Sequence, residues 1–395
     1  MGTKSGMTRR RFLRRVADIA VGAGLAYAGA IDEARAAQET RPPAEQVRGK
    51  MTYRRLGRTG IMVSVIAGSG MPDALYPRAV ELGINYWHKL GNWRPTEAIT
   101  SRPRESFYCD MVIDSLDEEQ ALQQFEGGLA KSGLEHIDFF KVHSLYRSGD
   151  DIKGQPGVLR AFEKLREEGK VRWLAVSQHS RVGEVLSACI ESGLFDAIQL
   201  PHNPLMAKEV GEVIALAEAR DVGVLAMKPL MGGEARWATV GEEVKETLKP
   251  YLPDNKSTAQ ALLRYALAPK GLAAAVPLIR NFEQLEEAVA AVQKPLTRAQ
   301  MAGLEVLANA VGVGYCRMCG RCEEACPQGV ALSHIFRCRM YAGDYGDLDH
   351  ASRLYASLPA DRSASRCDDC GRCEAACPYG RPVVSSLREA HAMLV

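Results

Sequence analysis

Eight of the eleven cysteines in this 395-residue chain fall into two copies of one pattern. The first is Cys316-x-x-Cys319-x-x-Cys322-x-x-x-Cys326-Pro327 and the second Cys367-x-x-Cys370-x-x-Cys373-x-x-x-Cys377-Pro378. Three thiols spaced in this way can wrap one corner of an iron–sulfur cubane, while the fourth, before Pro, reaches a second cluster. The spacing predicts two 4Fe-4S clusters, one on Cys316, Cys319, Cys322 and Cys377, the other on Cys367, Cys370, Cys373 and Cys326. Gly320 and Gly371 follow the second cysteine of each run, where backbone must come close to sulfur. Zinc knuckles use paired C-x-x-C units without the third cysteine or the trailing Cys-Pro. Disulfides are the alternative in an oxidising compartment, but two full copies of the run favour clusters. Such clusters carry single electrons, so the chain is expected to handle electrons one at a time.

Forty residues separate Cys326 from Cys367, more than a compact cluster protein needs. The insert holds two helix-like stretches, 333–341 and 349–357. The region 311–395 resembles the helical two-cluster ferredoxins of respiratory complexes. Cys109 and Cys189 lie in apolar stretches and read as core thiols; Cys338, between the runs, reads as a residue of a helix face.

The other end of the chain supplies an address. Residues 8–15 read TRRRFLRR, residues 16–31 are apolar and rich in Ala and Gly, and 34–36 read ARA. This resembles a twin-arginine signal peptide over 1–36, which predicts an exported, periplasmic protein. The apolar run is short for a membrane span, which needs roughly 20 residues, so no stable span is expected after cleavage. Twin-arginine export moves folded proteins, which suits clusters inserted before transport. The whole chain carries a net charge of +2; without residues 1–36, 43 basic and 45 acidic groups remain. That near balance argues against nucleic acid and anionic membrane surfaces as partners. Residues 37–50 read as a flexible or extended leader. Apolar content of 46% suffices for a large core and two domains.

The middle of the chain must position whatever the clusters serve. Between 51 and 310, apolar β-rich runs alternate with helical patterns. The runs are 61–67, 84–87, 107–113, 137–143, 171–177, 197–200, 223–227 and 273–279. Several are apolar throughout, as strands buried on both faces are. Helices are expected near 117–131, 157–168, 181–191, 208–219, 258–267 and 298–308, and a hairpin with a Gly turn over 51–60. Eight β–α units in about 260 residues is the size of a (β/α)8 barrel. The fold class is therefore α/β: a TIM barrel over 51–310 followed by a small, mostly helical ferredoxin-like domain.

These residues resemble the aldo/keto reductase family. The likeness is carried by 53–61 (YRRLGRTGI), 83–86 (GINY), 171–177 (VRWLAVS), 197–200 (AIQL) with Asn203, 223–230 (GVLAMKPL) and 281–287 (NFEQLEE). The resemblance implies an active site at the C-terminal ends of the strands, with an Asp, Tyr, Lys and His tetrad. Here His88 and Trp93 stand at the Asp and Tyr positions. The third strand offers no Lys around Cys109–Val112, and only the His is kept, as His143. An indole does not donate a proton as a phenol does, and without a lysine no cation tunes the acid. The nicotinamide site implied by the family is also altered. Ser177 and Gln199 match, but Pro277-Leu278 replaces Pro-Gly, Ala288 replaces an Asn, and Arg280 is the remaining candidate for a phosphate. NAD(P) binding is thus not expected to drive the protein.

In place of the lost groups, His88, Lys89, Trp93, Lys141, His143, His179 and His202 are expected at one rim, a polar site suited to an anion or a metal. His88 and His143 are the candidate proton donors; Lys89 and Trp93 are the candidate positioning groups. Three functions are compatible: an exported oxidoreductase in which the clusters relay electrons to a small substrate in the barrel, an electron-transfer subunit whose inactive barrel docks a redox partner protein, and a conventional NADP-dependent reductase.

Overall fold

The computed structural model describes residues 44–92, 95–312 and 314–395. The signal-like segment 1–36 and Trp93 lie outside the described residues. Among the described residues, no helix is long and apolar enough to cross a membrane.

The chain begins with an antiparallel sheet of three strands, β1 (Glu45–Arg48), β2 (Met51–Arg55) and β3 (Met62–Ser64). Eight parallel strands follow: β4 (Gly68–Ser69), β5 (Tyr86–His88), β6 (Tyr108–Ile113), β7 (Ile137–His143), β8 (Val171–Ser177), β9 (Ala197–Pro201), β10 (Gly223–Met227) and β11 (Leu272–Val276). Each neighbours the next in chain order. Ile66 bridges Ala275, and backbone bonds from Ala67 N–H to Ala275 O and from Ala275 N–H to Val65 O close the ring. The barrel expected from the sequence is thus present. One boundary differs: the apolar run 61–67 is not a single strand, because 62–64 pair with β2 and the barrel strand starts beyond them. Likewise, residues 45–48 of the leader are paired with β2.

Alternation along β7 shows how the barrel is built. Phe139, Lys141 and His143 share one face, Phe140 and Val142 the other. Phe140 stacks on Phe125 of the helix Glu118–Ser132 at 5.8 Å and meets Phe162 of the helix Gly157–Glu167 at 6.0 Å. Phe139 instead joins an interior cluster with Leu56, Val63, Tyr86, Ala175, Ala197 and Leu225. Leu56 and Val63 come from the initial hairpin, so that hairpin plugs the N-terminal end of the barrel. The open end is the C-terminal end.

The hairpin seats tightly because Gly57 has no side chain. Its φ is +51°, and a Cβ there would stand 2.2 Å from the Gly223 nitrogen and 2.6 Å from the Val222 carbonyl carbon.

The C-terminal residues form a separate small core. The helices Leu332–Tyr345, Leu348–Ala356 and Val383–Leu394 bury Ile335, Phe336, Cys338, Ala351 and Leu387 together. Cys338 is a core thiol, and burial pushes it up to about 11. Asp347 caps the second of these helices, accepting from the His350 N–H at 3.1 Å. This module rests on the open end of the barrel. The Arg181 N–H donates to Met318 O at 2.9 Å, and the Arg181 guanidinium meets Glu324 at 2.8 Å. Arg280 donates to Tyr345 O at 2.6 Å, and the Lys228 ammonium lies 5.5 Å from the centre of the Tyr341 ring.

Replacing Gly57 by Ala is expected to cost about 3 kcal/mol, since the contact is with backbone and the φ disfavours a side chain. A thermal melt should show the midpoint several degrees lower.

Candidate functional site

The site is built from polar residues on the inward faces of otherwise apolar strands. Deepest are Asp110 of β6 and Lys141 of β7, 2.6 Å apart and both without exposed surface. Asp110 also accepts from the Tyr86 hydroxyl at 2.8 Å and from the Lys89 N–H at 2.9 Å. Lys141 donates to Gln199 Oε1 at 3.0 Å. His88 Nδ1 lies 3.0 Å from Asp110 Oδ2 and 3.2 Å from Lys141 Nζ. Burial alone would raise the Asp110 carboxyl, but His88 and Lys141 outweigh it and hold Asp110 well below the usual carboxylate range. Burial lowers Lys141, and the Asp110 charge opposes that. Burial also pushes His88 down to about 4, with Asp110 opposing and Lys141 assisting. The cluster therefore holds an ion pair and a neutral imidazole. His88 Nδ1 can donate to Asp110 or accept from Lys141, and the choice decides whether Nε2 is an acceptor or a donor.

A second imidazole pair sits beside it. His143 Nδ1 is 2.8 Å from Asp114 Oδ1, and His143 Nε2 is 3.2 Å from His179 Nε2. Burial pushes His143 down to about 4 against the pull of Asp114, and His179 lies well below its ordinary value for the same first reason, with Lys228 and Arg337 assisting. With Asp114 ionised, the chain of tautomers is set. His143 Nδ1–H faces Asp114, and His143 Nε2 accepts from His179 Nε2–H. His179 Nδ1 is left as a lone pair, and it is buried without a partner.

Both groups border a cavity of about 860 Å³ at the open end of the barrel. His88, Lys89, His143, Ser177, His179, Gln199, Lys228, Trp237 and Arg280 line it on the barrel side. Tyr341, Asp344, Tyr345 and Asp347 line it on the module side. Ser177 Oγ, Gln199 Nε2 and Trp237 Nε1 are buried without a hydrogen-bond partner.

The structure thus gathers His88, Lys89, His143, Ser177, Gln199 and Arg280 around one cavity. Two expectations are corrected. His202 does not reach it, since its Nδ1 is 3.0 Å from Ala266 O and its ring stacks on Tyr265. Lys141 is not at the rim but a layer deeper, paired with Asp110. Asp110, Arg337 and Tyr341 were not picked out from sequence. For Asp110 and Lys141 the signal was there: charged residues at alternate positions in apolar strands.

The two cysteine runs fold alike. Met318 and Asp369 occupy the same place in each and both have a left-handed backbone, with φ of 54° and 58°. Gly320 and Gly371 follow, each opening a short helix, and a Cβ on Gly320 would meet the Arg181 side chain at 2.8 Å. Cys322 feels the charges of Cys316, Cys319 and Cys377, while Cys373 feels those of Cys367 and Cys326. This crossed grouping is the one the fourth-cysteine rule predicts. Burial raises the Cys316 and Cys322 thiols, and the Met318 N–H donates to Cys316 Sγ at 3.4 Å. Among the described residues, no three His, Cys, Asp or Glu side chains converge on a single ion. The residues fit two 4Fe-4S clusters, whose irons would supply the positive charge that buried thiolates need.

Comparison with known proteins agrees. A sequence model of the aldo/keto reductase family matches residues 107–309, more than half of the chain, and one of a 4Fe-4S dicluster domain matches 315–382. The chain belongs to the aldo/keto reductase family and carries a C-terminal 4Fe-4S dicluster domain. It is 24% identical over 284 residues to an L-galactose dehydrogenase of Arabidopsis thaliana, covering 62% of this chain and 88% of that protein. It is 25% identical over 199 residues to the uncharacterized oxidoreductase YtbE of Bacillus subtilis, covering 50% of this chain and 65% of that one. Among solved structures, the aldo-keto reductase AKR11C1 of Bacillus halodurans (holo form) superimposes with a TM-score of 0.54 at 19% identity, over 68% of this chain and 99% of that one. The thermostable aldo-keto reductase Tm1743 gives 0.51 at 19%, over 65% and 99%. These two show the shared barrel fold.

Two predictions follow from the charges. Lys141→Met leaves the Asp110 carboxylate buried without its counter-ion, and a denaturant titration should show a loss of about 3–5 kcal/mol; adding Asp110→Leu should recover part of it. His88 and His143 are neutral in the fold with values near 4, against 6.5 in an unfolded chain. The unfolded chain takes up their protons first. Stability is then fully present above about pH 6.5 and falls as the pH drops towards about 4, by roughly 3 kcal/mol for each ring. His88→Gln should make that decline shallower.

Proposed function

We propose that the protein is an exported oxidoreductase in which the barrel cavity takes a small substrate and the two 4Fe-4S clusters relay electrons between that cavity and a redox partner protein. The observation that carries this reading is the shared wall. The helix Leu332–Tyr345, inserted between the two cysteine runs, lines the cavity through Tyr341, Asp344 and Tyr345, and the first run packs on the barrel at Met318 and Gly320. The second run faces away: Cys370 is exposed, and Asp369 pairs with Arg388 of its own module. The cluster on Cys316, Cys319, Cys322 and Cys377 is then the inner one, and the cluster on Cys326, Cys367, Cys370 and Cys373 is the one a partner reaches. Export rests on the twin-arginine and A-x-A pattern of residues 8–36.

The family tetrad is degenerate on this reading, with His143 its remaining member. His88, backed by Asp110 and Lys141, holds or releases a proton towards the cavity, and Asp114, His143 and His179 form a second proton-holding row. A nicotinamide dinucleotide fits only in part. Ser177 and Gln199 offer free polar atoms to a carboxamide, but Arg280 is already bonded to Tyr345 O. Glu283, Asp344 and Asp347 line the outer cavity, with Glu287 paired to Lys256 at 2.7 Å, so a pyrophosphate there would meet carboxylates as well as cations. NAD(P)H is therefore not the proposed reductant.

Anaerobically purified protein should hold about eight iron atoms and matching labile sulfide. Mixed with a reduced low-potential dye, its visible cluster absorbance should bleach; mixed with NADPH, it should not. Cys370→Ser should slow reduction by a protein donor more than by a small dye. Absence of iron, zinc in its place, or NADPH-driven bleaching abolished by Ser177→Ala would reject the proposal.

A further inference from the structure

The inner end of the cavity is unbalanced in charge and in hydrogen bonding. At the outer end, cations have partners: Lys256 pairs with Glu287 at 2.7 Å, and Arg280 is bonded to Tyr345 O. At the inner end, Lys89 and Lys228 have no carboxylate within salt-bridge distance among the described residues. Each sits at the C-terminal end of a strand in a left-handed backbone conformation, with φ of 62° and 55°. Such conformations cost free energy in a lysine and are kept where they place a functional group. Behind the wall lies a third cation, Arg337 of the module helix. It is only 8% exposed, its Nε has no partner, and its one recorded bond is from Nη2 to His334 Nδ1 at 3.4 Å.

Two orphaned donors point the same way, whereas His179 Nδ1 is an orphaned acceptor. Gln199 gives its Oε1 to Lys141 and is left with an N–H group facing no acceptor, and Trp237 has an indole N–H in the same state. Gln199 is 1% and Trp237 8% exposed. A buried donor left unsatisfied is destabilising, so two such donors beside unpaired lysines call for a ligand rich in acceptor oxygens. Nearby acceptors do not serve. Asp114 is bonded to His143, and Asp110 is filled by Lys141, Tyr86 and the Lys89 N–H. Asp344 and Asp347 stand on the module wall, the latter as a helix cap.

We propose that this end of the cavity binds an organic oxyanion, its charged group beside the His143–His179 pair facing Lys89 and Lys228, and its apolar body against Trp237, Leu230 and Leu263. It rests on the reading that the barrel cavity is the substrate site and names the class of that substrate as a carboxylate, sulfonate or phosphate carried on an apolar frame. The Arg337 guanidinium adds to the field from behind, so the module contributes to recognition as well as to electron transfer. Charge-assisted bonds of this kind are about twice as strong as neutral ones.

The test uses the holoprotein and two probes that differ only in charge: anilinonaphthalene sulfonate and phenylnaphthylamine, the same aromatic frame without the sulfonate. Their fluorescence is titrated against wild type, Lys228→Gln and Lys89→Gln, with thermal melts confirming that the variants fold. The sulfonate is expected to saturate at one site per chain. Its affinity should fall about tenfold or more in Lys228→Gln and decline with salt, while the neutral probe binds weakly and is unmoved by either variant. Equal binding of both probes, no saturable sulfonate binding, or a folded Lys228→Gln of unchanged affinity would overturn the inference. Because the readout is binding, sulfonate capture by a protein whose clusters never bleach would keep this inference and reject the redox proposal.

Discussion

A lysine ammonium and an aspartate carboxylate face each other at the centre of the barrel, 2.6 Å apart and out of reach of water. Little else in the site could stand without that pair. Two isolated charges at such depth would each cost several kcal/mol to bury, and only close geometry with further hydrogen bonds offsets this. Tyr86, Gln199, His88 and the Lys89 N–H supply those bonds. In doing so they become fixed themselves. His88 is held with one edge in the cluster and the other on the cavity, Gln199 is turned so that its N–H group is left over, and the left-handed turn at Lys89 is tied down by its own amide. The pair thus orients what lies above it, and nothing indicates that it touches a substrate.

The same logic extends to the module. A barrel of this family already has an open C-terminal end, and here the helix between the cysteine runs takes part in walling it. Tyr341 under Lys228 and Arg280 on Tyr345 O tie the wall to two barrel loops. These are the loops after β10 and β11. The first cysteine run lies on the loop after β8, with Met318 O bonded to the Arg181 N–H.

Much of this could be read from the residues. The strands were legible because a strand covered on both faces must be apolar almost throughout, and 137–143, 171–177 and 223–227 fall where they were expected. The division of 61–67 was not legible, since an unbroken apolar run does not say where a hairpin ends and a barrel begins. The cysteine runs gave the cluster module, and the crossed thiol grouping agrees with it. Asp110 and Lys141 were visible only as charges in apolar strands; that they meet depends on the register that sets Val112 beside Lys141 and Asp110 beside Phe139. Lys141 was placed at the rim because its strand ends two residues later, but inward-facing residues one layer down point to the barrel axis. Arg337 and Tyr341 lie on a helix whose sequence does not tell which face meets the barrel.

Placing cations rather than a phenol at the inner end suits the proposed chemistry. Hydride transfer to a neutral carbonyl builds charge on one oxygen, and a well-placed acid relieves it by giving up a proton. An electron arriving alone adds a full negative charge to whatever is bound before any proton moves. Two unit charges 4 Å apart interact by about 4 kcal/mol at the effective dielectric of a protein site near its surface. Lys89, Lys228 and Arg337 would each favour the reduced form, with Asp344 partly offsetting them. The neutral imidazoles complete the arrangement. Once negative charge has arrived beside them, the desolvation that holds His88 and His143 uncharged is opposed by a new attraction, and both are drawn back towards protonation. On the proposed function, electron and proton would reach the substrate from different sides, the electron through the module and the proton from the barrel.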